Sequence, residues 1–199
     1  MSNPYAQFMT LADKVTMSRI ILAPFFFVIY MYKIFTPGLS VILLWVLFVI
    51  IELSDFLDGQ VARASDQVSG FGKLFDPFAD VLARVTYFVC FAFSGLMPLW
   101  VLIIILYREF SILFLRMMLS FRQIAMGARP GGKLKAGVYM LAGLLSLLHM
   151  TFTVYFPNSA LMSLLNLSLQ IVYYGAAFLS VLSFADYLNQ YQKLISEKK

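Results

Sequence analysis

Residues 39–57 read LSVILLWVLFVIIELSDFL, and the chain continues through residues 58–80 as DGQVARASDQVSGFGKLFDPFAD. Every residue from Val41 to Ile51 is apolar. A helix on the surface of a soluble protein would show a polar stripe every three or four residues, and here there is none. A helix that crosses a bilayer needs about 20 mostly apolar residues, which this run supplies. Acids come only past that apolar run, at Glu52, Asp55 and Asp58.

Working outward from this stretch, five more runs have the same character. The six expected spans cover residues 20–35, 39–57, 77–96, 99–119, 136–156 and 161–184. The breakers between some of them are short: Thr36-Pro37-Gly38, Ser94-Gly95 and Pro157-Asn158-Ser159. Such tight turns make sequential helices antiparallel neighbours and leave no room for an external domain. Residues 4–12 place Tyr5, Phe8, Met9 and Ala12 at helical spacing, which suggests a short interfacial helix ahead of the first span. The expected fold is therefore an all-α integral membrane protein, one domain over residues 1–199.

Charge orients it. The loops after the first, third and fifth spans carry Lys33 as their one basic residue. Lys14, Arg19, Arg63, Lys73, Arg116, Arg122, Arg129, Lys133, Lys135, Lys193, Lys198 and Lys199 belong to the other side. Basic residues stay in the cytoplasm, so both termini are expected inside. Composition agrees: 61% of the 199 residues are hydrophobic and 13% charged. A soluble domain has about 45–50% and about 25%. Cys90 is the single cysteine, which excludes a disulfide framework and a cysteine zinc site. The first eighteen residues include Asp13 and Lys14 and lack a long apolar core, so no cleavable signal is expected. The net charge of +5 sits beside membrane spans, not on a nucleic-acid-binding fold, and predicts contact with anionic lipids and substrates, not nucleic acid.

The acids carry the chemistry. Asp55 and Asp58 are three apart and share a helix face; Asp76 and Asp80 are four apart and share another. An Asp at the centre of a membrane helix costs about 2.5–3.5 kcal/mol, and less near the interface. Four carboxylates at one end of two helices also repel one another. A divalent cation removes that repulsion, and all-oxygen ligation points to Mg2+ or Mn2+. Two ions about 3.5–4 Å apart would suit displacement at phosphorus. Gly59 and Ala62 keep the helix surface low, and Arg63 offers a fork of donors to a phosphate. Gly70 and Gly72 are expected in a loop whose N–H groups face an anion.

Asp55-x2-Asp58-Gly59-x2-Ala62-Arg63-x8-Gly72-x3-Asp76-x3-Asp80 resembles the signature of the CDP-alcohol phosphatidyltransferases, with all eight fixed residues present. The resemblance implies six membrane helices around a polar cavity open to the cytoplasm, in a homodimer. It implies metal ligation by Asp55, Asp58, Asp76 and Asp80, with Asp80 also the general base. Gly59, Ala62, Arg63 and Gly72 are implied to lie against the CDP group. The reaction it implies is attack of an acceptor hydroxyl on the lipid-side phosphorus of CDP-diacylglycerol, with CMP leaving. The expected location is a bacterial plasma membrane. A small transporter would account for six helices and buried charge, but not for eight residues at these spacings.

For the acceptor, Val15-Thr16-Met17-Ser18-Arg19, Pro24, Arg108-Glu109-Phe110, Arg116 and Gly132-Lys133-Leu134-Lys135 resemble the branch of the family that uses glycerol 3-phosphate. Arg116, Lys133 and Lys135 are the expected partners of the acceptor phosphate. Three departures from that branch stand in this chain: Val81 in place of a Lys, Ala136 in place of a Thr, and Ala12-Asp13-Lys14 near the usual Asn-x-Pro-Asn. Inositol phosphate, serine and choline remain as other acceptors. Glu52, Arg84, Arg108 and Glu109 are expected to face the bundle interior, because lipid exposure would be costly.

Overall fold

The computed structural model describes residues 11–65, 72–122, 124 and 130–196. They form six α-helices and no strand among the described residues: α1 Leu11–Tyr32, α2 Pro37–Ser65, α3 Gly72–Phe93, α4 Leu99–Phe121, α5 Pro130–Tyr155 and α6 Leu161–Ser196. Each has at least 22 residues, or about 33 Å at 1.5 Å per residue, so length alone lets each cross an apolar layer of about 30 Å. By apolar composition as well as length, α1, α2, α5 and α6 are the four candidate spans. α3 and α4 fall short on composition because charged residues run through them: Asp76, Asp80 and Arg84 on one, Arg108, Glu109 and Arg116 on the other.

Local chemistry sets the helix ends. Pro37 and Pro130 open α2 and α5, where a missing N–H costs nothing, and Pro98 caps α4 with extended backbone. Gly95 turns the chain between α3 and α4 at φ 78°, a conformation that side chains resist. The helices overrun the apolar runs at one end of the bundle. α3 starts at Gly72, five residues before the expected span, so Gly72 is its first helical residue and not part of a loop. α6 continues to Ser196, well past residue 184. α1 already includes Leu11 and Ala12; the rest of the expected interfacial helix, residues 4–10, lies outside the described residues.

The packing makes a ring. α1 lies on α2 and α3, α2 on α5, α5 on α6, α6 on α4, and α4 on α3, with α3 also touching α5 across the middle. The core is aromatic. Tyr87 sits against Phe48 at 5.5 Å and Phe88 at 5.0 Å in edge-on contact, and Phe26 meets it at 6.1 Å. The outside stays apolar. Ile21, Phe25, Ile42, Phe114, Leu164 and Phe178 are all exposed, as lipid-facing positions would be. The starts of α1, α3 and α5 meet the ends of α2, α4 and α6 at one end of the ring, and there the charged residues converge.

Candidate active site

Three positions on α3 recur every four residues and so share a face: Asp76, Asp80 and Arg84. Arg19 of α1 crosses to them with its side chain 1% exposed. Its Nη2 donates to Asp76 Oδ1 at 2.5 Å, and its Nη1 is 4.0 Å from Asp80 Oδ1. Arg84 Nη2 lies 3.0 Å from Asp80 Oδ1 and 3.9 Å from Glu52 Oε2 on α2. Tyr87 donates its hydroxyl hydrogen to Glu52 Oε1 at 2.9 Å. Asp80 is thus fixed by two arginines. Asp76 keeps 49% of its side chain exposed and Asp80 28%, so both can still meet a ligand.

A second network lies across the same cavity. Arg108 Nη1 on α4 donates to both oxygens of Glu109, at 3.1 and 3.0 Å, and its Nε donates to Ser183 Oγ on α6 at 3.1 Å. Lys135 of α5 donates to Glu109 Oε1 and rests 4.5 Å from the centre of the Tyr139 ring. Glu109 is 6% exposed. Each buried ion costs several kcal/mol unless it is paired, and here one carboxylate answers two cations. Arg116 Nη2 donates to Tyr187 Oη at 3.2 Å, while the buried Arg116 Nε finds no acceptor among the described residues.

Between the networks lies a cavity of about 210 Å3, lined by Asp80, Arg84, Arg108, Glu109, Arg116 and Lys135 together with Gly132 and Tyr187. Among the described residues four cations and two carboxylates line it, a balance that favours an anion. Of the residues expected from sequence, Asp80, Arg116 and Lys135 meet here, and Asp76 joins Asp80 through Arg19. Gly72 stands one turn before Asp76 on α3. Asp55, Asp58, Gly59, Ala62 and Arg63 lie on the last turns of α2, and Lys133 on the first turn of α5; their side chains lie outside the described residues. Among the described residues, no three His, Cys, Asp or Glu form a metal cluster. The donor chemistry nonetheless fits a hard cation: Asp76 and Asp80 offer exposed carboxylate oxygens, and Asp55 and Asp58 follow Glu52 on α2 at intervals of three.

Sequence reasoning placed Arg84, Arg108 and Glu109 in the interior without a role, and passed over Tyr187 and Ser183. An ionisable residue inside a membrane helix is a signal for the first three. Nothing marks Tyr187 among eleven tyrosines.

The profile of the CDP-alcohol phosphatidyltransferase family matches residues 9–182, and the chain belongs to that family. A relative from Treponema pallidum (strain Nichols), named CDP-diacylglycerol–glycerol-3-phosphate 3-phosphatidyltransferase, is 43% identical over 149 residues, 70% of this chain and 69% of its own. A Bacillus subtilis (strain 168) protein of the same name is 32% identical over 148 residues, 70% of this chain and 77% of its own. A probable cardiolipin synthase (CMP-forming) of Drosophila melanogaster is 32% identical over 106 residues, 53% of this chain and 31% of its own.

Proposed function

We propose that this chain transfers the phosphatidyl group of CDP-diacylglycerol to glycerol 3-phosphate, forming phosphatidylglycerophosphate and releasing CMP. Membership of the family and the names of the Treponema and Bacillus relatives support the reaction. The single structural observation that supports the choice of acceptor is the cavity beside Asp80, where, among the described residues, four cations outnumber two carboxylates. A phosphorylated alcohol satisfies that excess; a neutral alcohol leaves it bare. Arg116 is the clearest phosphate partner, because its buried Nε lacks an acceptor among the described residues. Lys133 and Lys135 are assigned to the same phosphate. For Lys135 the role is shared, since Glu109 already binds its ammonium group.

The residues divide the work by position. Asp80 accepts the proton of the acceptor hydroxyl, held in place by Arg84 and Arg19. The hydroxyl oxygen forms a bond to the lipid-side phosphorus, and the phosphorus–oxygen bond to CMP breaks. Gly59, Ala62, Arg63 and Gly72 lie against the CDP group. Asp55, Asp58, Asp76 and Asp80 would hold Mg2+ or Mn2+, as one or two ions. Bound there, the metal supplies charge neutralisation at the pyrophosphate. Among the described residues no Ser, Cys or His lines the cavity, in keeping with direct transfer.

The same reading takes all six helices through the membrane, with both termini and the cavity in the cytoplasm. The charges of α3 and α4 support it, because Arg84, Arg108 and Glu109 turn inward and stay buried while Phe110 and Phe114 face outward. A bacterial plasma membrane and a homodimer complete the proposal. Purified protein in detergent micelles with CDP-diacylglycerol tests it against a panel of glycerol 3-phosphate, inositol phosphate, serine, choline and phosphatidylglycerol. CMP should appear with glycerol 3-phosphate and disappear with a chelator. Turnover with serine or choline alone would overturn the acceptor.

A further inference from the structure

Tyr187 lies on α6, past residue 182, where the match to the family ends. It is nevertheless part of the cavity wall and 2% exposed. Its ring receives two guanidinium groups: Arg108 at 5.4 Å and Arg116 at 5.7 Å from the ring centre. Its hydroxyl accepts from Arg116 Nη2 at 3.2 Å. One turn earlier on the same helix, Ser183 accepts from Arg108 Nε. The face of α6 at positions 183 and 187 therefore sets the direction of two arginines that belong to α4. Two like charges held on one ring repel each other, and the arrangement favours an anion between them.

The neighbouring helix makes room for this ring. A methyl group at Gly132 on α5 would come within 3.2 Å of the Tyr187 hydroxyl oxygen, closer than ordinary contact. Glycine at this position lets the hydroxyl stand where Arg116 reaches it. The hydroxyl occupies one donor of Arg116 and leaves its Nε–H for another acceptor.

We propose that Tyr187 is a positioning residue for the acceptor: it holds Arg116 in the orientation that grips the acceptor phosphate, and Gly132 keeps its place open. This rests on the reading of the cavity as the acceptor site. Tyr187 touches no reacting atom, so its loss acts on the KM of the phosphorylated alcohol and not on the chemical step.

The test is a double-mutant cycle on the purified full-length protein, with KM for glycerol 3-phosphate, KM for CDP-diacylglycerol, kcat and thermal midpoint in detergent as readouts. Tyr187→Phe keeps the ring and should raise KM for glycerol 3-phosphate about 3- to 10-fold, with kcat and the other KM within about twofold. Tyr187→Leu, which also loses the ring, should raise it further. Gly132→Ala should copy Tyr187→Phe by pushing the hydroxyl aside. In the Arg116→Ala background, Tyr187→Phe should add nothing. Fully multiplicative effects in the double variant would overturn the proposal. So would a uniform fall in every parameter together with the thermal midpoint, which a packing role would give. If Arg116→Ala raises KM and Tyr187→Phe does not, Tyr187 is not the positioning residue and the acceptor site stands. If Arg116→Ala leaves KM unchanged, the acceptor reading fails and the proposal falls with it.

Discussion

The two ends of the helix ring solve the same problem with different chemistry. Away from the cavity, neighbouring helices are tied by neutral pairs: Tyr30 with Ser94 at 2.6 Å, Trp45 Nε1 donating to Thr151 Oγ1 at 2.9 Å, and Ser146 with Tyr173 at 2.5 Å. At the cavity end the ties are ionic, through Arg19, Arg84, Arg108, Lys135 and their carboxylates. Neutral pairs hold a membrane bundle together at little cost, each worth about 0.6 kcal/mol and rarely above about 1.7. Buried ions cost several kcal/mol each before pairing returns any of it. A bundle that needed only to hold together would use the first kind throughout. Charges gathered at one end suit a charged ligand, and the pairs among them offset the cost of their burial.

The largest effects should come from the carboxylates. Asp80→Asn is expected to cut turnover by about 10²–10⁴-fold while CDP-lipid affinity persists in a binding assay. Asn at Asp55, Asp58 or Asp76 is expected to abolish the chelator-sensitive part of the activity while the protein still inserts. Full activity in two of those three variants would remove the metal assignment. Next comes Glu109→Gln, which leaves Arg108 and Lys135 without their shared counter-charge in the interior. The expected loss is about 3–5 kcal/mol, read as a lowered thermal midpoint. An unchanged midpoint would mean that water or lipid head groups reach these cations. Arg116→Ala should raise KM for glycerol 3-phosphate about 10- to 150-fold, the value of a charge-assisted hydrogen bond of about 1.5–3 kcal/mol. KM for CDP-diacylglycerol should stay close to that of the parent. The smallest effect belongs to the neutral end: Thr151→Val should cost about 0.6 kcal/mol of stability and leave both KM values alone. If it cost as much as Glu109→Gln, the contrast between the two ends would lose its meaning.

Much of the fold is legible in the sequence, for a physical reason. Lipid demands long apolar helices, so hydropathy finds the helices, and Pro37, Gly95 and Pro98 mark turns between them. Hydropathy fails where a helix leaves the apolar layer. Residues 185–196 of α6 and 72–76 of α3 are too polar to register, yet they continue as helix because nothing in them breaks it. The charges that mark the site also lower the apolar content of α3 and α4, so these two stand outside the four most apolar helices although the sequence reads them as spans. Asp76 and Asp80 are legible as a pair because their spacing of four puts them on one face of α3; the side chains of Asp55 and Asp58 lie outside the described residues. The contacts of Arg19, Ser183 and Tyr187 are not legible. Arg19 comes from α1 to Asp76 and Asp80, Ser183 comes from α6 to Arg108, and Tyr187 comes from α6 to the cavity wall, and only the closed ring of helices brings them together. The pair Asp76 and Asp80 also looks more repulsive in sequence than in space, because Arg19 already answers both.

Transfer of labelled glycerol 3-phosphate into organic-extractable lipid separates these readings in one experiment. The parent protein, supplied with CDP-diacylglycerol and Mg2+, should move the label into a phosphorylated lipid, with one CMP released per molecule transferred. Neutral glycerol should compete poorly, because it offers no negative charge to the cations that line the cavity among the described residues. Efficient transfer of a neutral or zwitterionic alcohol, with none of glycerol 3-phosphate, would contradict the assignment of the cavity.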